Sequence, residues 1–359
     1  METQYTQRLD KIKAVLDKWL PQKPDASWLE MVFGRKLQTG SRKLPSALLE
    51  SLAAPGWDLV NRGGKRWRPL LMALTAEAIS GEAGLNAALP LTPLVEFPHN
   101  ASLIHDDIED NSDQRRGLPA VHLIYGNDTA INSGAFLYFL PMACLASGGM
   151  ALDTQNRIWN AWASHMRSLH LGQAMDIAWH RDFHSLPSLE EYDTMCRLKT
   201  GCLVSLAATL GVYCSDKSFA QQDALAEVFG EAAEKLGVGF QILDDVKNLD
   251  TGNPGKKQGD DIVEGKKSLP VLLYLQRYPE KADFAVRCFA AARANGTEAP
   301  EVEEFIGAIK GAGVLEEARE KGLEYIRESR KIFSDSQAAG IPLREEGQKL
   351  LVGLMDLIG

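Results

Sequence analysis

Two acidic clusters are the residues best suited to chemistry. Asp106-Asp107-Ile108-Glu109-Asp110 follows the apolar-rich stretch Ala101-Ser102-Leu103-Ile104, and Asp106 and Asp110 stand four apart, so on a helix they share one face. Like charges placed so close repel unless a cation sits between them. Asp244-Asp245-Val246-Lys247-Asn248 repeats the geometry about 140 residues later, with Gln241 one turn before. Hard oxygen donors suit Mg2+, which takes one or two carboxylates and completes its octahedron with water and substrate phosphate. A lone cluster of this kind is more often a solvated helix face. Two of them, each at the end of an apolar stripe, are costly to bury unpaired, which favours two carboxylate faces gripping one metal cluster.

Metal-bound phosphate also needs cations, and these come in short groups: Gly63-Gly64-Lys65-Arg66-Trp67-Arg68-Pro69, Arg115-Arg116-Gly117, Lys199-Thr200-Gly201, Lys257, and Lys266-Lys267. Arginine offers a bidentate fork to phosphate oxygens and lysine a point charge. Each group alone reads as ordinary surface charge. The twin arginines five residues beyond an acidic cluster are harder to dismiss, because one loop then supplies both the metal ligands and the phosphate clamp. The glycines before Lys65 let the backbone approach a phosphate closely. Gly265-Lys266-Lys267-Ser268 lacks the spacing and the preceding strand of a P-loop, and His99, His105 and His170 on apolar helices read first as hydrogen-bonded core residues.

The elements that position these groups are helices. Apolar residues recur at three and four, as in Leu225, Val228, Phe229, Ala232, Leu236 and Phe240 leading into Asp244, and no alternating strand pattern is found. The fold class is all-α. Residues 1–55 read as an N-terminal helical extension ending in Ala53–Gly56, and 56–359 as the main helical domain. The 359 residues are 45% hydrophobic with a formal charge of −9. That acidic balance argues against nucleic acid. Five cysteines without CxxC spacing predict thiols and a cytoplasmic location. No run of about 18 apolar residues predicts a membrane span.

The motif set is similar to that of the trans-prenyl diphosphate synthases from about Gly63 to Pro270. His99–Asn111, Arg115-Arg116-Gly117, Ile124-Tyr125-Gly126, Ile131-Asn132-Ser133 and Gly172–Ile177 resemble the eukaryotic type of geranylgeranyl diphosphate synthase, as does the Asn248 ending of the second cluster. The resemblance implies an isoprenoid synthase-type helical bundle with a central active-site cavity, and a homodimer. It implies that Asp106, Asp107, Asp110, Asp244, Asp245 and Asn248 hold Mg2+ against the allylic diphosphate. Arg115, Lys199, Thr200, Gln241, Lys257 and Lys266 would contact that diphosphate, with Lys199 and the five aspartates forming the catalytic set. Lys65, Arg68, His99 and Arg116 would hold isopentenyl diphosphate. Pro98, directly before His99, removes an amide donor and would kink an ongoing helix.

The implied reaction neutralises a diphosphate leaving group and gives an allylic cation. The alkene of isopentenyl diphosphate attacks it, and proton loss gives the longer trans product. Ala101 and Ser102 are too small to block an apolar tail one turn before Asp106. Tyr138, Phe139 and His170 match floor-forming positions of the C20 synthases. The expected product is geranylgeranyl diphosphate, with a farnesyl or longer product as the alternative. A class I terpene cyclase is the second reading, and it needs no cations for a second diphosphate. A non-catalytic helical partner subunit is the third.

Overall fold

The structure is a computed structural model that describes residues 2–34, 38–39, 42–43, 45–252 and 257–356. The helices are α1 (Glu2–Trp19), α2 (Ala26–Phe33), α3 (Ser46–Asn61), α4 (Trp67–Ala88), α5 (Pro93–Glu109), α6 (Val121–Tyr125), α7 (Asn127–Phe139), α8 (Pro141–Ser147) and α9 (Leu152–Arg181). They continue as α10 (Leu189–Cys196), α11 (Cys202–Tyr213), α12 (Phe219–Asp250), α13 (Asp260–Glu264), α14 (Leu269–Arg277), α15 (Ala282–Asn295), α16 (Pro300–Gly311), α17 (Val314–Phe333) and α18 (Glu345–Met355). Strand structure among the described residues is confined to two-residue antiparallel ladders, one of which pairs Gln114–Arg115 with Leu118–Pro119. The all-α expectation holds.

Two compact units divide the chain. The first comprises residues 1–162, 206–227 and 336–354, and the second 163–205, 228–335 and 355–359. In the first, α5 packs against α7 and α3. Both α3 and α5 carry an internal proline that a neighbour accommodates. Pro98 removes the amide that would bond the Leu94 carbonyl, and the Trp162 indole N–H donates to that carbonyl at 3.2 Å, so α5 runs on through His99 to Glu109. Beyond Pro55, the Ser133 hydroxyl takes the Gly56 amide at 3.2 Å and itself donates to the Leu52 carbonyl at 2.8 Å. A Cβ at Gly56 would lie 2.9 Å from Leu137, so glycine sets the α3–α7 spacing.

The second unit gathers α14, α15, α16 and α17 around Phe289 and Phe305, whose rings meet edge to face at 5.5 Å, with Tyr274 and Phe284 beside them. Such pairs add to the burial of their apolar area. Two stretches, Asn127–Ser147 and Leu189–Tyr213, are long and apolar enough by composition to cross a membrane, but 50% and 78% of them are buried within the protein, as core helices are.

Candidate active site

In the first unit the end of α5 carries the first acidic cluster. Asp107 is fully buried, and Arg115 reaches it through Nε at 2.9 Å and through Nη2. The same guanidinium lies 3.7 Å from Asp106. Asp106 and Asp110 are partly exposed on the same helix face. Arg115 is held there by the short hairpin of Gln114–Arg115 and Leu118–Pro119, whose central residues Arg116 and Gly117 have φ of 55° and 75°. Positive φ at both positions is the signature of a tight I′ turn. For Arg116 that conformation is strained, and strain of this kind gathers at functional sites.

The Arg116 guanidinium donates to the Leu59 carbonyl at 2.7 Å and packs against Gly64. Arg68 is buried at the start of α4, stacks on Trp67 at 4.5 Å, and places Nη1 3.5 Å from His99 Nε2. Burial, then Arg68 and Arg116, push the His99 imidazolium well below its ordinary pKa, so His99 is neutral near pH 7 and can offer hydrogen bonds but no charge. Beneath these residues Glu96 is buried, and burial raises its pKa against the pull of Arg116, Arg68 and Arg66. Lys65 is exposed. Structure therefore brings Arg68, His99 and Arg116 together over one buried carboxylate. The sequence reading gave Glu96 no role; its position three residues before His99 on α5 was the available signal.

In the second unit glycines let backbones meet. A Cβ at Gly172 would sit 2.4 Å from the Lys199 amide nitrogen, and one at Gly237 would sit 2.8 Å from Gly201 Cα. The segment Arg197–Gly201 is a π-helical turn, a form that recurs at functional sites. It is thereby held against α9 and α12. Lys199 pairs with Asp176, one turn along α9 from Gly172, at 2.6 Å, and Thr200 donates to Gln241 Oε1 at 2.8 Å. Gln241 Nε2 in turn donates to Asp245 at 2.8 Å, and Asp245 also accepts from the Tyr192 hydroxyl at 2.7 Å. Asp245 is buried, which raises its carboxyl to about 6 despite those donors, with Asp244 adding repulsion. Asp244 is exposed, and Asn248 is fully buried. The Gly172–Ile177 motif carries a family resemblance, but no spacing in the sequence marks Asp176 or Tyr192 as functional.

Lys266 pairs with Glu264 at 2.5 Å, and Lys257 is exposed, with Glu298 at 3.2 Å. Tyr138 is buried, its ring 5.8 Å from that of His105, whereas Phe139 is 64% exposed and His170 is exposed.

Among the described residues no three His, Cys, Asp or Glu side chains converge as a ready cage. A divalent ion held largely by substrate and water does not need one. The donors are nonetheless of the right kind: Asp106 and Asp110 share a partly exposed face, and Asp244 is exposed four residues before Asn248. The Asn248 Oδ1 accepts a long bond from the Asp261 amide at 3.4 Å, which leaves that oxygen a lone pair for a cation. These residues fit a hard divalent cation.

The polyprenyl synthetase family profile matches residues 49–306. The chain belongs to the polyprenyl synthetase family. Among its relatives, a geranylgeranyl pyrophosphate synthase of Gibberella zeae is 33% identical, over 80% of this chain and 73% of that protein. The geranylgeranyl diphosphate synthase of Methanosarcina mazei is 30% identical, over 80% and 85%. The geranylfarnesyl diphosphate synthase of Aeropyrum pernix is 29% identical, over 86% and 94%. Among solved structures, the geranylgeranyl pyrophosphate synthetase of Pyrococcus horikoshii superposes with a TM-score of 0.79 at 25% identity, over 99% of this chain and 98% of that one. The fold of this polyprenyl synthetase is thus the all-α isoprenoid synthase fold, and prenyl chain elongation is its reaction class.

Proposed function

We propose that this polyprenyl synthetase condenses isopentenyl diphosphate with an allylic diphosphate to give geranylgeranyl diphosphate, with Mg2+ as cofactor. The observation that carries the reading is the duplication of anion-binding machinery. Arg68 and Arg116 gather with the neutral His99, a second set of anion-binding groups beside the Arg115 that meets the acidic face, and a cyclase with one diphosphate to bind has no use for it. Mg2+, when bound, supplies charge neutralisation to the diphosphate leaving group.

The chain's own residues do the rest. Asp106, Asp107, Asp110, Asp244, Asp245 and Asn248 are the proposed ligands, with the buried Asp107 and Asp245 also anchoring their helices from within. Arg115, Lys199, Thr200, Gln241, Lys257 and Lys266 are proposed to contact the allylic diphosphate, and Lys65, Arg68, His99 and Arg116 the isopentenyl diphosphate. His99, being neutral, orients its diphosphate by hydrogen bonding. Fixing two anionic substrates in register supplies most of the catalysis.

A C20 product is supported by relatives that carry the C20 name and by Ala101, which is small and buried on the turn before Asp106. Tyr138, Phe139 and His170 are the proposed chain-length residues. A homodimer is supported by exposed apolar side chains on α6 and α7, with Ile124 and Ile131 each 49% exposed. A cytoplasmic location is proposed from five buried free thiols, and residues 1–55 are proposed as an extension to the catalytic helices. The test is incubation with labelled isopentenyl diphosphate, Mg2+ and dimethylallyl, geranyl or farnesyl diphosphate, followed by chain-length analysis. A C20 alcohol that disappears with EDTA is expected. A different length rejects the C20 assignment, and no incorporation by folded protein turns the reading toward a cyclase.

A further inference from the structure

Lys267 is only 3% exposed, and its ammonium donates to two backbone carbonyls, Gly265 at 2.9 Å and Trp179 at 3.2 Å. It lies over the Phe289 ring at 4.4 Å and near that of Phe183 at 5.7 Å. Burial and the neighbouring Arg293 lower its pKa to about 8, so it remains largely charged at neutral pH at a real desolvation cost. Arg293, on α15, makes a parallel set of contacts. Its Nη2 donates to the His180 carbonyl at 2.8 Å and to the Glu264 carbonyl at 2.6 Å, and its guanidinium lies 4.4 Å from the Phe183 ring centre.

Trp179 and His180 belong to the last turn of α9, where helix carbonyls have no partner within the helix and the dipole favours cations. Glu264 is the last residue of α13 and Gly265 opens the loop that runs to α14. Each cation therefore joins one carbonyl at the end of α9 to one carbonyl of this 264–268 segment. Gly265 shows independently how tight the junction is. Its φ is +81°, and a Cβ there would lie 2.8 Å from Arg293, 2.9 Å from the His180 carbonyl and 2.9 Å from Phe183. The residue carried between Gly265 and Lys267 is Lys266.

We propose that Lys267 and Arg293 are positioning residues, a two-cation clamp that fastens the 264–268 loop to the end of α9 and so fixes Lys266 for the allylic diphosphate. This rests on the assignment of Lys266 to that diphosphate. Local contacts, the Lys266 amide to the Asp261 carbonyl at 2.8 Å and the Lys266 amine to Glu264 at 2.5 Å, shape the turn, and the two cations add the tie to α9. Charge-assisted bonds to carbonyls are roughly twice as strong as neutral ones, which accounts for a lysine here in place of a packed apolar side chain.

The test uses the full-length enzyme with Lys267→Met, which keeps an unbranched chain of similar length and removes both donors, and Lys267→Arg, which keeps the charge and can donate to two carbonyls. Amide exchange is followed in substrate-free protein, and KM and kcat are measured with isopentenyl and geranyl diphosphates and Mg2+. With Lys267→Met, exchange over residues 264–268 should rise by at least about tenfold. KM for geranyl diphosphate should rise about tenfold while kcat and KM for isopentenyl diphosphate stay within about threefold. Lys267→Arg should restore both. If Lys267→Met does not fold, Arg293→Lys, which keeps the charge and loses the double carbonyl contact, is judged by the same measurements. Unchanged exchange in 264–268, or kcat and both KM values moving together, overturns the clamp. Should the wild-type protein turn over no starter, the elongation reading fails, and the exchange result by itself decides whether the clamp exists.

Discussion

The two acidic clusters have nearly the same sequence, yet the protein neutralises them differently. In both, the second aspartate is turned inward: Asp107 is fully buried and Asp245 nearly so. Asp107 is met by a cation, Arg115, delivered by a strained two-residue turn. Asp245 is met by neutral donors, Tyr192, Gln241 and, at 3.4 Å, the Leu269 amide, and its pKa rises to about 6. A buried carboxylate can thus be kept by charge or by hydrogen bonds alone. The second leaves the protonation of Asp245 close to the working pH.

The comparison can be broken or sharpened by four measurements. The largest effect should come from the outward members, which the two clusters share: Asp106→Asn or Asp244→Asn should each lower kcat by roughly 10²–10³-fold if both serve the same leaving group. A loss confined to one of them in steady-state assays would mean that only one cluster acts in the chemistry.

Next is Arg115→Met, which takes the guanidinium that meets Asp107 Oδ1 from a buried carboxylate and should destabilise the fold by about 3 kcal/mol in urea titration. Third is the pH dependence of the metal-free protein. Because folding raises the Asp245 pKa, the folded state keeps a proton that the unfolded chain has already lost between the ordinary carboxylate range and about pH 6. Stability should fall as pH rises through that window, by up to about 3 kcal/mol. Asp245→Asn, titrated with urea in EDTA, should flatten the slope, and an unchanged slope would place that proton elsewhere. The smallest change is expected for Tyr192→Phe, which removes one neutral hydrogen bond and should cost about 1 kcal/mol. Equal costs for Arg115→Met and Tyr192→Phe would erase the distinction between the two modes.

Much of this was legible in the chain. Spacing alone placed Asp106 with Asp110 and Asp244 with Asn248 on helix faces, and the recurrence at three and four gave the all-α class. Pro98 was read as a threat to the helix through His99. The helix continues because Trp162, 64 residues on in the chain, supplies the donor its freed carbonyl needs. The basic groups were legible as a set, but not their sorting. Arg68 is buried while Lys65 and Lys257 are exposed, and Lys267 is fully inside the protein while its neighbour Lys266 is half-buried.

The sequence by itself determined the helices and the inventory of carboxylates and cations, because periodicity and i, i+4 spacing act within a few residues. Tertiary structure alone decided which aspartate of each pair turns inward, that His99 is neutral, and that Lys199 meets Asp176. Those outcomes depend on desolvation and on partners far away in the chain: Tyr192 lies 53 residues from Asp245, and Trp179 lies 88 from Lys267. No local pattern records such a distance. Glycines at 172, 201, 237 and 265 are where the backbones come close enough to create it.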